Sequence, residues 1–264
     1  MPDAIFAHPR LAAVYDAFDG DRRDLDLYLG VAEEFAEESA AVHVLDVGCG
    51  TGCLALLLAH RGWRVTAVDP AGASLDVARS KPGAAAVTWI HGDATTLPAN
   101  TANTANTANT AETAGPADLA TMTGNVAQVF LDDDAWAATL RGIHGALRDG
   151  GRFVFETRQP RRRAWDEWAA DPGPVVRDVP GVGIVEQRRE VTRVALPFVT
   201  FRNTYTFADG TQLHSDSTLR FRDRPELERS LEAAGFAVDE VRDAPDRPGL
   251  EYVFVARKVR TGGP

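Results

Sequence analysis

Asp46-Val47-Gly48-Cys49-Gly50-Thr51-Gly52 sets three closely spaced glycines beside a carboxylate, and two further acids, Asp69 and Asp93, end later apolar runs. Glycine lets backbone approach a ligand closely and take left-handed turns. Where such a turn opens a helix, the free N–H groups of the first helical turn face the same ligand. A carboxylate at Asp69 can accept both hydroxyls of a ribose and would repel a 2′-phosphate. Asp93, followed by Ala94, can accept a hydrogen bond from an adenine amino group. Asp46 can stabilise a cationic group. The dinucleotide fingerprint is G-x-G-x-x-G, and a match begun at Gly48 needs glycine where this chain has Cys53. The spacing G-x-G-x-G and the three acids suit a ligand with ribose, adenine and a positive charge but no phosphate.

Those side chains meet only if the strands that carry them lie side by side. Residues 43–47 read as a strand, 53–61 as a helix closed by Gly62, and 64–68 as a second strand. A short helix over 72–80 and strands over 87–93 and 118–124 follow. Residues 132–151 read as an acid-started helix with a glycine C-terminus, which suits its dipole. A fifth strand covers 151–158. After an interruption come a helix over 224–236 and strands over 236–244 and 250–258. Strands alternating with helices predict an α/β fold: a seven-stranded, mainly parallel sheet with helices on both faces. Ligands in such sheets bind beyond the carboxyl ends of the strands, so three acids at successive strand ends share one crevice. Residues 10–40 read as helical, with Asp21 as a cap and Leu25, Tyr28, Leu29, Ala32 and Phe35 at helical spacing.

Two segments break this rhythm. Over residues 100–111 the triplet Asn-Thr-Ala recurs without a large apolar residue. It cannot bury enough surface to offset its ordering entropy, so it reads as a flexible surface loop. Residues 160–222 are strand-like. From 199 to 207 the odd positions hold Val, Phe, Asn, Tyr and Phe, and from 211 to 221 they hold Leu213, Leu219 and Phe221. A two-residue turn at Asp209-Gly210 would set Phe207 beside Gln212. Keeping both apolar sets on one face requires a three-residue loop with Gly210 left-handed. Residues 186–194 offer a further strand.

Bulk properties narrow the function. Of 264 residues, 44% are hydrophobic and 25% charged, as in soluble globular proteins. No apolar run approaches the roughly 20 residues of a membrane span, and no secretory signal is visible, so a cytoplasmic location is expected. Cys49 and Cys53 read as reduced core residues. The net charge of −10 disfavours nonspecific nucleic-acid binding. Arg161-Arg162-Arg163 reads either as a local basic patch or as solvated surface.

The segments VLDVGCGTG, AVDP, HGDA and RDGGRFVFETR together resemble the successive motifs of class I S-adenosylmethionine (SAM)-dependent methyltransferases of the small-molecule type. The resemblance covers 41–158 and resumes over 224–258. It implies SAM as cofactor, with Gly48, Cys49, Gly50 and Gly52 along its methionine and ribose part. It further implies Asp46 near the cationic end, Asp69 with Pro70 at the ribose, and Asp93 with the Ala94 N–H at adenine. Thr123 and Gly124 would line the methionine side, and Asn125 and Gln128 the acceptor side. Tyr15 and Tyr28 are placed like lid tyrosines. The implied organisation is a helical lid over 1–40, a SAM-binding domain from 41–159 and 223–264, and an inserted antiparallel β cap over 160–222. Such caps cover the acceptor or form dimer surfaces, so a homodimer through the cap is expected. The expected reaction is in-line transfer of the methyl group to an O or N atom of a small-molecule acceptor, without a metal.

The catalytic group stays open, with Tyr15, Arg158 and His214 as candidates and His8 and His91 as further histidines. Arg158 with Arg202 can anchor a carboxylate or phosphate of the acceptor. Trp165 and Trp168 read as packing the cap onto the body. An NAD-dependent oxidoreductase and a non-catalytic SAM-binding protein are the alternatives.

Overall fold

The computed structural model describes residues 1–36, 42–97, 115–170 and 173–259. The Asn-Thr-Ala tract lies outside them. Among the described residues, four helices come first: α1 (Ala4–Ala7), α2 (Pro9–Ala12), α3 (Tyr15–Phe18) and α4 (Asp24–Ala36). Then follow β1 (His43–Val47), α5 (Cys53–His60), β2 (Arg64–Asp69), α6 (Gly72–Ser80), β3 (Val87–His91), β4 (Ala117–Met122), α7 (Asp133–Ala146) and β5 (Leu147–Arg158). A second group comprises α8 (Ala164–Ala169), β6 (Val175–Val179), β7 (Gly183–Ala195), β8 (Phe198–Phe207) and β9 (Gln212–Arg220). The chain closes with α9 (Arg224–Ala233), β10 (Phe236–Arg242) and β11 (Glu251–Lys258).

The main sheet has seven strands in the order β10-β11-β5-β4-β1-β2-β3, with β11 antiparallel to both neighbours. The strand alternation sorts the side chains into two cores. Val44, Ala67, Leu119, Val154 and Val253 meet α4 and α5 on one face, while Leu45, Val68, Ala120, Phe153 and Phe155 meet α7 and α9 on the other. Strand order reverses between β1 and β4; β1 pairs in parallel with β2 on one side and with β4 on the other. Asp46, Asp69, Glu156 and Arg158 fall at even steps from the first set. The sheet therefore presents them on one face at its carboxyl edge.

The four-stranded antiparallel sheet runs β6-β7-β8-β9. Its hairpin has the expected loop: Phe207 N–H bonds to Thr211 O at 2.9 Å, leaving Ala208-Asp209-Gly210 as the turn, with Gly210 at φ +80°. Odd residues of β8 face odd residues of β9, and Val199, Phe201, Asn203, Tyr205 and Phe207 are all buried.

Three expectations shift. The N-terminal region is not one continuous helix. It breaks at Arg22, whose left-handed φ of 55° is held by ion pairs to Asp19 (2.7 Å) and Asp24 (3.0 Å). Asp21 consequently stands outside α4 and meets Arg23, whose N–H lies at 3.4 Å and guanidinium at 2.9 Å. α7 stops at Ala146, because β5 already pairs with β4 from Leu147. Gly150 and Gly151 form a bulge there rather than a helix end; a Cβ on Gly151 would lie 2.9 Å from Arg148 O. Finally, β3 ends at His91, and Asp93 instead caps a short helical turn, Ala94–Thr96, by accepting from Thr95 N–H at 2.8 Å.

Candidate functional site

The glycine turn leaves β1 at the point where strand order reverses, the position at which open α/β sheets hold ligands. Its three glycines have left-handed φ for different reasons. A Cβ on Gly48 would lie 2.8 Å from a methyl of Val126. On Gly52 it would lie 2.5 Å from the Trp89 ring and 3.0 Å from Ala78. On Gly50 it would meet nothing within 4 Å. Gly48 and Gly52 are thus fixed by packing, and Gly50 alone turns its backbone toward open space.

Asp69 wires this turn to the end of β2. One carboxylate oxygen accepts from Gly50 N–H at 2.8 Å and the other from Ala71 N–H at 2.7 Å. Each oxygen keeps a lone pair for a ligand hydroxyl. Burial pushes the Asp69 carboxyl above its usual range, and the two N–H donors oppose that shift. Asp46 is 1% exposed and accepts from the Thr121 hydroxyl at 3.0 Å. Burial, reinforced by the nearby Asp69 charge, raises its pKa to about 7. Asp93 is exposed; one of its oxygens takes the Thr95 amide and hydroxyl. Ala94 beside it is buried. Cys49 is a buried free thiol in the turn, and Pro70 O is capped by His91 Nε2 at 3.1 Å.

On the other side of the crevice, the Gly124 and Asn125 N–H groups, expected to line a ligand, already bond to one oxygen of Glu156 at 2.7 and 3.2 Å. Asn125 is left-handed, and its Nδ2 donates to Glu251 at 2.9 Å. Thr123 is buried just before them.

The comparisons with known proteins bear directly on this arrangement. A family model described as a methyltransferase domain matches residues 21–241. The chain belongs to the methyltransferase-domain family. The cypemycin N-terminal methyltransferase of a Streptomyces species is 31% identical over 137 residues, 51% of this chain and 50% of that protein. The malonyl-[acyl-carrier protein] O-methyltransferase of Serratia marcescens is 39% identical over 152 residues, 57% of this chain and 51% of that protein. The chain thus matches about half the length of these curated relatives. A SAM-bound amino pentose methyltransferase of Micromonospora echinaspora shares the fold, with a TM-score of 0.68 at 22% identity over 93% of this chain and 97% of that one.

The glycines of this methyltransferase-domain protein separate stability from binding. Gly52→Ala forces a side chain into Trp89 at an unfavourable φ, and a loss of roughly 2–4 kcal/mol of stability is expected. Gly50→Ala meets no atom of the fold and is expected to cost about 1 kcal/mol, while weakening SAM binding. Thermal melts and SAM titrations of both variants check the contrast; equal behaviour would refute it.

The catalytic candidates separate in space. His214 bonds to Thr204 at 3.0 Å on the exposed face of the small sheet, away from the crevice. His8 is exposed and accepts from Arg10 N–H. Arg202 is spent in a bidentate pair with Asp216 (2.7 and 2.8 Å) on the same outer face as His214, so the expected partnership with Arg158 does not form. Arg158 remains at the crevice, donating to Gln128 at 3.0 Å. Tyr28 is not a lid residue. It is fully buried in α4, and its hydroxyl donates to Glu156. Tyr15 packs on Phe6 at 5.3 Å and bonds to Asp19, and burial keeps its hydroxyl protonated. It is therefore a donor rather than a base. The basic triplet at 161–163 is bonded internally: Arg161 to Gln159, Arg162 to Gly249 O and Arg163 to Asp166.

Sequence reading missed the acids that organise the β5 side of the crevice. Glu156 is 1% exposed and gathers Tyr28, Gly124 and Asn125; burial and the neighbouring Glu251 raise its pKa to about 7. Glu251 takes Asn125 and, at 3.1 Å, Arg247. The available signal was a lone acid inside an otherwise apolar strand, at Glu156 within VFETR. Asp16 was missed as well. Its carboxylate takes the Thr51 hydroxyl at 2.5 Å and Lys81 at 2.6 Å, fastening α3 onto the glycine turn.

Proposed function

We propose that the protein transfers the methyl group of SAM to an O or N atom of a small-molecule acceptor by in-line displacement. The observation that carries this reading is one cradle: Gly50 turned to open space, with Asp69 and the buried Asp46 beside it on one face of the sheet. SAM, when bound, supplies a methyl group already activated on a sulfonium. Asp69 offers its free lone pairs to the ribose, and Asp93 with the Ala94 N–H takes adenine. Asp46 compensates the cationic end. The turn through Gly48, Cys49 and Gly50, with Pro70, Thr123 and Gly124, lines the rest. The short turns α1 to α3 act as the lid, fastened by Asp16, and exclude water from the acceptor. Relatives bearing both N- and O-methyltransferase names support leaving the accepting atom as either. Dimerisation through the inserted sheet is supported by Val176, Ile184 and Val194, which stand about half exposed on it.

Asp46 gives the reading a pH test. Below pH 7 the ligand-free carboxyl holds a proton, whereas a cation beside it favours the ionised form. Binding SAM then releases that proton, so affinity rises with pH up to about 7 and levels off above it. Calorimetry between pH 6 and 8 is expected to show about a tenfold gain, absent in Asp46→Asn. A flat profile in the wild type would remove Asp46 from the site. Labelled SAM with a panel of amines, phenols and carboxylic acids tests the transfer; tight SAM binding with no methylated product favours a non-catalytic SAM-binding protein.

A further inference from the structure

The acceptor side holds a positive charge that the fold leaves uncompensated. Trp168, half-buried on α8, packs on Phe201 and Phe221 at 5.3 and 6.1 Å. Two guanidinium groups flank its ring, Arg158 at 5.3 Å from β5 and Arg189 at 5.8 Å from β7. Arg158 has only a loose acid partner, Glu251 at 4.0 Å, and shares it with Arg247. Arg189 bonds to the neutral Asn203 at 3.0 Å and covers the Phe201 ring at 4.9 Å. Among the described residues no carboxylate stands within ion-pair distance of Arg189. Burial lowers the pKa of both arginines, and Arg189 adds to that shift at Arg158, so the two charges repel across this space. Both stay protonated, because guanidinium does not give up its proton in proteins.

A second observation points the same way. Gln128 is 1% exposed; its oxygen holds Arg158, and its Nε2 has no partner. A buried donor left unpaired is costly unless a ligand completes it. One cation without an acid partner, a second only loosely paired, and an orphaned N–H donor beside that second cation form a recognition site for an oxyanion.

We propose that the acceptor is an acid whose carboxylate or phosphate group lies between Arg158 and Arg189 beside Trp168. This rests on the methyltransferase reading and narrows its substrate class. Arg189 takes the part that the sequence assigned to Arg202: β7 pairs it with the buried Asn203, and its own side chain stays exposed beside Trp168.

The test uses the full chain, with and without saturating S-adenosylhomocysteine, and follows the Trp168 indole N–H resonance, assigned with Trp168→Phe. Benzoate and phenyl phosphate are the acidic probes; benzamide and phenol are their neutral counterparts. At least one acid is expected to shift the resonance saturably and about tenfold more tightly than its neutral counterpart. The tighter of the two acids names the anion. Arg189→Met is expected to remove the preference and Arg189→Lys to keep part of it, while both hold SAM within about twofold of the wild type. If neither acid shifts Trp168, or benzamide and phenol bind as well as the acids, the proposal is overturned. Failure of S-adenosylhomocysteine to bind the wild type would strike the methyltransferase reading instead, and the acid titrations on the free protein would still decide this one.

Discussion

Asp69→Ala is expected to weaken SAM binding by about a hundredfold or more and also to lower the stability of the free protein by about 1–3 kcal/mol, since the Ala71 N–H is left without its acceptor. The lost ribose contacts alone account for roughly 1.5–3 kcal/mol, as for other charge-assisted hydrogen bonds. The structure adds a second loss. Asp69 anchors Gly50 N–H and Ala71 N–H, so its removal frees the turn that must meet the ligand. Asp69→Asn is not a mild alternative. One carboxylate oxygen becomes an NH2 group, which then faces an N–H donor of Gly50 or Ala71. Both variants should therefore bind poorly by calorimetry, and wild-type affinity in either would overturn the assignment of Asp69.

Glu156→Ala is expected to cost about 3–5 kcal/mol of stability, because three donors lose their acceptor together, the buried Tyr28 hydroxyl and Asn125 N–H and the part-buried Gly124 N–H. Glu156→Gln keeps an oxygen for the two N–H groups and should recover much of the loss. The same group sets a pH dependence. Its folded pKa of about 7 lies above the 4.5 of an exposed glutamate. Between those values the folded chain holds a proton that the unfolded chain releases. Stability is therefore greatest at the acidic end of this window and falls as pH rises to 7, by about 2–3 kcal/mol. Asp46 acts in the same direction. Denaturant unfolding of wild type and Glu156→Gln from pH 5 to 8 measures both effects. An equal slope in the two proteins would show that Glu156 does not titrate in this window.

The comparison with sequence reading divides by the range of the interactions. The β1–turn–α5 unit was legible because glycine positions and strand ends are local facts. The β8–β9 loop was legible because the side-chain period is two, and a shift of one residue would have buried Gln212. The end of α7 was not, since Gly150 and Gly151 fit a helix terminus as well as a bulge, and only pairing with β4 decides between them. Asp69 and Asp46 do share a face, but the second duty of Asp69 toward Gly50 and Ala71 depends on how the turn folds back. The place of Arg189 was not legible, because only the register of β7 against β8 sets it opposite Asn203, one step from Arg202 on the outer face. Glu156 and Glu251 come together only when β11 returns antiparallel beside β5, pairing Glu251 with Arg158.

The three short turns α1 to α3 have too few residues to persist alone. Their shape is borrowed: Ile5 N–H from Ser215 at 2.9 Å, Phe6 O from Ser74 at 2.9 Å, Arg10 from Asp209 at 2.7 Å, and Asp16 from Thr51 and Lys81. The segment ties the small sheet and its hairpin loop to α6, Lys81 and the glycine turn, with contacts to the two alternating along it. Because these bonds reach both parts of the fold, cutting any of them is expected to loosen the segment from the small sheet and from the glycine turn together.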